Sequence, residues 1–222
     1  MSRRGVAGIW GAEAPSLRPG AMKRPSVLLF DLGGVLVEIA AFDALKSMVA
    51  ETLDDDAIRL RWLRSPAVRS FELGRIAPAA FAAQFLDEWQ VGLTLSTPEA
   101  FLENFATWVK RPYEGAETLI ARLRVEYRVS CLSNCNELHW SQLGGLLNCF
   151  DSAFSSHLLG AIKPDEEVFQ KVMSELRVEP DQLCFFDDSY LNVQAAKRLG
   201  IGAYRVDGIR GVRRVVQSEG LL

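Results

Sequence analysis

A chain of 222 residues, 49% apolar and 24% charged, has the make-up of a globular protein with material for a real core. Its net charge of −3 offers no electrostatic reason to bind nucleic acid or an anionic membrane. No apolar run approaches the roughly 18–20 residues that span a bilayer. The four cysteines, Cys131, Cys135, Cys149 and Cys184, lack zinc-ribbon or C-x-x-C spacing, and we read them as reduced thiols of a cytoplasmic protein. With His139 and His157 as the two histidines, a multi-histidine metal site is excluded.

Residues 1–21 read as a flexible extension. Ser2-Arg3-Arg4 is a faint likeness of a twin-arginine signal, but Gly, Trp and Glu interrupt the stretch up to Pro15. Met22 could be the natural start. The first regular element is Val27-Leu28-Leu29-Phe30, which ends at Asp31 and is followed by Gly33-Gly34. A run apolar on both faces predicts a central strand of a parallel sheet. Between 40 and 109 the pattern becomes helical, with segments over 42–53, 56–63, 78–89 and 98–108. Asp54-Asp55, Ser65-Pro66, Ala77-Pro78 and Thr97-Pro98 mark helix starts or connections.

After Arg111-Pro112 strands and helices alternate. A helix over 114–125 leads to a strand over 128–132, ending at Ser133-Asn134. A helix over 137–147 and a strand over 150–155 follow. Lys163-Pro164-Asp165 opens a helix that runs to 176, with Glu166 and Glu167 in its first turn. The strand over 183–186 ends at Asp187-Asp188. A helix over 191–199, closed by Gly200, a strand over 203–206 and a last helix complete the chain. This alternation predicts an α/β fold: a doubly wound, Rossmann-like parallel sheet core from 22–39 and 110–222, with an all-helical insert at 40–109.

In such folds ligands sit beyond the carboxyl ends of the strands. The groups predicted there are Asp31, Ser133-Asn134, Lys163 and Asp187-Asp188. Asp31 with a carboxylate of Asp187-Asp188 could chelate Mg²⁺, which prefers hard oxygen ligands. Gly33 and Gly34 let the backbone turn so that a main-chain carbonyl can also face the metal. Ser133 and Asn134 offer donors to a tetrahedral oxyanion, and Lys163 a compact positive charge. Positioning and charge neutralisation are most of what phosphoryl transfer asks of a protein. A carboxylate nucleophile would split the reaction into two steps through an aspartyl-phosphate. Two adjacent carboxylates at the end of a buried strand need a cation or basic group to offset their repulsion.

In content and order these motifs resemble the haloacid dehalogenase superfamily. The motifs are Phe30-Asp31-Leu32-Gly33-Gly34-Val35, Ser133-Asn134, Lys163-Pro164, and Phe186-Asp187-Asp188 with Asn192 following. The resemblance covers Met22 to the C-terminus, and the helical insert 40–109 resembles the small helical cap domain of one subgroup. It implies that Asp31 is nucleophile and metal ligand, with the Gly33 carbonyl as a second ligand. Ser133 and Asn134 would hold phosphate, and Lys163 would steady nucleophile and phosphate. Asp187 or Asp188 would complete the Mg²⁺ site. Phe-Asp-Leu-Gly-Gly-Val, Phe-Phe-Asp-Asp-x-x-x-Asn and the Phe71-Glu72-Leu73-Gly74 stretch are similar to the bacterial group acting on α-D-glucose 1-phosphate. The expectation is therefore a Mg²⁺-dependent phosphatase of a small phosphorylated metabolite, with sugar phosphate favoured, acting as a monomer or homodimer.

One position departs from the common pattern. Most phosphatases that the chain resembles have a second Asp two residues after the nucleophile, as general acid and base; here it is Gly33. General acid catalysis contributes about 10²–10⁴-fold, so Gly33 predicts a steep dependence of rate on leaving-group quality. It also keeps open two alternatives, a metal-independent haloacid dehalogenase and a non-catalytic phosphometabolite-binding module. In the insert, Trp62, Trp89, Trp108 and the phenylalanines at 42, 71, 81, 85, 101 and 105 read as packing, with one or two at the cleft. Arg64, Arg69 and Arg75 read as mainly solvated, as do Arg210, Arg213 and Arg214, and His139 as part of a packed helix face.

Overall fold

The computed structural model describes residues 24–49, 51–91 and 97–222; the expected extension at 1–21 lies outside them. The central strand is β1 (Val27–Phe30), and every residue in it is buried. It lies between β4 (Arg128–Ser133) and β6 (Leu183–Asp187), with β5 (Ser152–Ser155) outside β4 and β7 (Gly202–Arg205) outside β6. All four pairings are parallel. Alternation across the pleat explains why the run is wholly apolar. Leu28 and Phe30 enter one apolar cluster with Val129, Cys131, Cys184 and Phe186. Val27 and Leu29 enter the other with Leu132, Leu183 and Phe185. Helices α6 (Ala116–Leu123) and α12 (Gly208–Ser218) cover the first face. Helices α10 (Glu166–Leu176) and α11 (Tyr190–Arg198) cover the second.

The register decides where the chemistry sits. Phe30 is level with both Cys131 and Phe186, so Asp31, Ser133 and Asp187 leave the sheet together at its carboxyl edge. The Asp31 backbone N–H donates to the Phe186 carbonyl at 2.8 Å, extending the ladder to the site itself.

Between β1 and β4 the chain makes a neck and a helical layer. The neck is an antiparallel pair, β2 (Val37–Ile39) with β3 (Val109–Pro112), which the sequence pattern did not reveal. Above it lie α1 (Ala41–Met48), α2 (Asp55–Arg64), α3 (Pro66–Glu72), α4 (Pro78–Trp89) and α5 (Pro98–Ala106). Their apolar faces form a third cluster around Phe71, Phe81, Phe85, Phe101, Phe105 and Trp108. The expected punctuation acts as capping. Side chains of Asp54, Ser65 and Thr97 accept from the backbone N–H of Ala57, Val68 and Ala100.

Helix α3 is marked in the sequence only by its Ser65-Pro66 start, and three of the expected elements differ in extent. The helix expected over 42–53 stops at Met48, and α2 folds back beside it, with Lys46 paired to Asp55. The helix expected over 137–147 is interrupted at Leu143, which ends α7 (Glu137–Gln142) and precedes α8 (Gly144–Leu147), whose first two residues are glycines of low helix propensity. The strand expected from 150 begins at Ser152, because the Asp151 side chain accepts from the Val129 N–H at 2.8 Å. All four cysteines are free, and no helix among the described residues is long and apolar enough to cross a membrane.

Candidate active site

Asp31, at the end of β1, is buried and faces a cavity of about 190 Å³ between the sheet edge and the helical layer. Its Oδ1 accepts from Lys163 Nζ at 2.8 Å. The same ammonium donates to Asp187 Oδ2 and to the Leu132 carbonyl, both at 2.8 Å. Lys163 is 1% exposed, so its charge persists only because these acceptors replace water. Burial opposes that charge, but Asp187 and Asp31 outweigh it and raise the Lys163 pKa. Burial also governs Asp31. Opposed by Lys163 and reinforced by Asp187 and Asp188, it pushes the carboxyl up to about 7.

The adjacent acids at the end of β6 have different surroundings. Asp187 is fully buried, and both of its oxygens are occupied. Oδ1 accepts from the Ser189 N–H and Asn192 Nδ2, Oδ2 from Lys163 and Asn192 Nδ2. Asp188 borders the cavity, and its Oδ2 accepts from Arg59 at 2.9 Å. Burial and Asp187 raise its pKa, with Arg59 opposing. Gly34 makes this approach possible. It sits at φ +74°, and a Cβ there would lie 2.9 Å from Asp188 Oδ2. The expected demand for glycine therefore falls on Gly34. A Cβ at Gly33 would meet only Ile39, at 3.4 Å.

Ser133 and Asn134 both border the cavity. Asn134 has its side chain committed: Nδ2 donates to the Lys163 carbonyl at 2.8 Å and Oδ1 accepts the Lys163 N–H at 2.9 Å. Its amide thus sets the Lys163 backbone. The Ser133 hydroxyl has no hydrogen-bond partner among the described residues.

This arrangement can be set beside known proteins. The sequence model of haloacid dehalogenase-like hydrolases matches residues 25–200. The chain belongs to this family. A D-ribitol-5-phosphate phosphatase of Bacteroides thetaiotaomicron is 29% identical over 189 residues, covering 80% of this chain and 90% of that one. A solved family enzyme of the same organism, in complex with magnesium and inorganic phosphate, superposes with a TM-score of 0.65. It is 23% identical and covers 82% of this chain and 94% of that one. The L-2-haloacid dehalogenase of Xanthobacter autotrophicus, with chloropropionic acid covalently bound, superposes at 0.58. It is 20% identical, over 89% and 84% of the two chains.

In this haloacid dehalogenase-like hydrolase the donor set fits a hard divalent cation. Asp31, Asp187 and Asp188 offer oxygens that lie within 4.8 Å of one another. The buried Asn192 Oδ1, beside them, has no partner among the described residues, as suits an acceptor of hydrating water. The family site also holds two residues that the sequence analysis did not single out for a role. Arg59 of α2 lies over the Phe42 ring, 4.2 Å from its centroid, and reaches across to Asp188. Nothing in its sequence setting distinguishes it from Arg61 or Arg64. Glu72 ends α3 and borders the cavity, only 7% exposed. A signal for it existed: Ala67, Val68 and Phe71 define a helix face on which residue 72 should be apolar. Of the aromatic residues expected at the cleft, Phe42, Trp62 and Trp108 reach it. His139 is packed as expected, its Nε2 2.8 Å from the Phe105 carbonyl, and it also borders the cavity.

Proposed function

We propose that the protein is a Mg²⁺-dependent phosphomonoester hydrolase that cleaves a small phosphorylated metabolite through an aspartyl-phosphate on Asp31. The observation that supports this most directly is the junction of Lys163 with Asp31 and Asp187 beside Asp188. A buried carboxylate is there held by one oxygen, while Oδ2 has no hydrogen-bond partner among the described residues and is available to attack phosphorus. Lys163 stabilises the attacking carboxylate in its ionised form. The Ser133 hydroxyl and the Asn134 backbone N–H, at the cavity, would hold phosphoryl oxygens. Asp31, the Gly33 carbonyl and Asp188 would hold the metal, whereas Asp187 is committed to orienting Lys163. When bound, Mg²⁺ supplies positive charge to the phosphoryl oxygens. The helical layer of 40–109 acts as a cap that excludes water from the first step.

A sugar or polyol phosphate is the first substrate class to test, in keeping with the name of the ribitol-phosphate relative. A second reading, an organic group with an apolar face, is supported by Phe42, Trp62, Leu63 and Trp108 along the cavity wall. A screen of polyol, sugar, aryl and alkyl phosphates, with Mg²⁺ and with EDTA, separates them. Turnover should require Mg²⁺ and vanish in Asp31→Asn; wild-type turnover by that variant would overturn the mechanism. Release of halide from 2-haloacids in EDTA would identify a dehalogenase instead. A tightly held phosphometabolite without turnover would identify a binding module.

A further inference from the structure

The phosphatase reading requires a proton source for the leaving group, and Gly33 has no side chain to supply one. Apart from the acids at the strand ends, Glu72 is the one carboxyl among the described residues that borders the Asp31 cavity. It comes from the opposite wall, as the last residue of α3. Resting on that reading, we propose that Glu72 is the general acid and base of this hydrolase, delivering its proton from the helical cap to the leaving oxygen.

Its placement is rigid. The Glu72 carbonyl accepts from Ser156 Oγ at 2.6 Å, and Ser156 Oγ in turn accepts from the Cys135 N–H at 3.0 Å. Cys135 follows Ser133-Asn134, so one chain of hydrogen bonds ties Glu72 to the loop proposed to grip phosphate. The next turn is pinned as well. Gly74, at φ +69°, packs so closely on α9 (Ser156–Leu159) that a Cβ would lie 2.6 Å from the His157 carbonyl oxygen. Trp62 of α2 lines the same cavity wall as Glu72.

The setting favours the proton-bearing form. Burial dominates, with the Trp62 indole and the Lys163 charge opposing, and the carboxyl is pushed up to about 7. The helix C-terminus, with its unpaired carbonyls, acts in the same direction. The charged and titratable groups around it are Lys163 before α10, Cys135 after β4, His157 on α9, and Arg69 on its own helix, paired with Asp165. An acid with a pKa near the working pH can both give and take a proton.

In the first step the Asp31 Oδ2–phosphorus bond forms as the phosphorus–oxygen bond to the organic group breaks. The departing oxygen keeps the electron pair and takes the Glu72 proton, leaving as an alcohol. In the second, water attacks the aspartyl-phosphate and gives its proton to the Glu72 carboxylate. The pair of the broken bond returns to Asp31, phosphate leaves, and Glu72 is protonated again.

The test compares wild type, Glu72→Gln and Glu72→Asp on p-nitrophenyl phosphate, whose leaving group needs no proton, and on alkyl phosphates including ribitol 5-phosphate. In place of the steep dependence that Gly33 alone predicts, wild type should show a shallow leaving-group dependence, because Glu72 supplies the proton. Glu72→Gln should lose about 10²-fold or more in kcat/KM on the alkyl phosphates while staying within a few-fold on the aryl ester. It should also lose the alkaline limb of the pH profile, and Glu72→Asp should restore part of both. Trp62→Phe, which removes the indole N–H that favours the carboxylate, should move that limb to higher pH. Equal losses on both substrates with unchanged pH dependence would reduce Glu72 to a structural group, as would no loss on either. Wild type that turned over neither ester would instead defeat the phosphatase reading itself.

Discussion

Replacing Asp31 with asparagine should abolish turnover and, in the metal-free protein, raise stability at neutral pH. Burial, opposed by Lys163 and reinforced by Asp187 and Asp188, pushes this carboxyl from an ordinary 3.8 up to about 7. Because the folded pKa lies above the unfolded one, the protonated form carries the stability. The contribution is complete below about pH 4 and is lost as pH rises through 7. A window of about three pH units, at about 1.36 kcal/mol per unit, sets that loss at about 4 kcal/mol. Asparagine does not ionise, and its oxygen still accepts from Lys163, though as a neutral acceptor it returns about 1 kcal/mol of the gain. The variant should therefore exceed wild type by about 3 kcal/mol at pH 8 and match it near pH 4. Urea unfolding in EDTA, followed by circular dichroism across that range, measures the difference. A difference independent of pH, or a variant less stable at pH 8, would refute the reasoning.

Lys163→Met should destabilise the fold by about 3–5 kcal/mol at pH 8, since it leaves two buried carboxylates and the Leu132 carbonyl without their shared donor; urea midpoints would show it, and a loss under about 1 kcal/mol would argue against a structural role. Gly34→Ala forces a side chain into a left-handed conformation against Asp188. It should cost about 1–2 kcal/mol in stability and about 10-fold or more in Mg²⁺ affinity by calorimetry. Arg59→Ala should free Asp188 Oδ2. Because the pair is partly exposed, the change should be about 0.2–1 kcal/mol, read as a slightly tighter Mg²⁺ isotherm at low salt. A weaker isotherm would mean that Arg59 helps to hold Asp188 in place.

The chemistry at the strand ends was legible because it is local. A residue such as Asp31 sits at a strand terminus whatever the rest of the chain does, and apolar runs on either side mark that terminus. The two acids at 187 and 188 could not be told apart in this way. Adjacent residues point to opposite sides of a strand, and only packing decided that Asp187 would be enclosed by Lys163, Ser189 and Asn192 while Asp188 faced the cavity. The same holds for Asn134. Its amide was a candidate phosphate donor by type, yet in the fold it is spent on the Lys163 backbone.

The order and periodicity of the residues determined the α/β class, the central place of β1 and the motifs at the sheet edge, because these follow from patterns within a few residues. Tertiary structure alone decided what stands opposite them. Glu72 and Arg59 lie 41 and 28 positions from Asp31 in the chain and reach the site only because five helices pack on their own aromatic cluster above the neck. No short-range pattern encodes that approach, since it depends on the angle at which one layer settles on another. Gly33 marked a missing acid in the sequence; the fold alone set a buried carboxyl across the cavity from it.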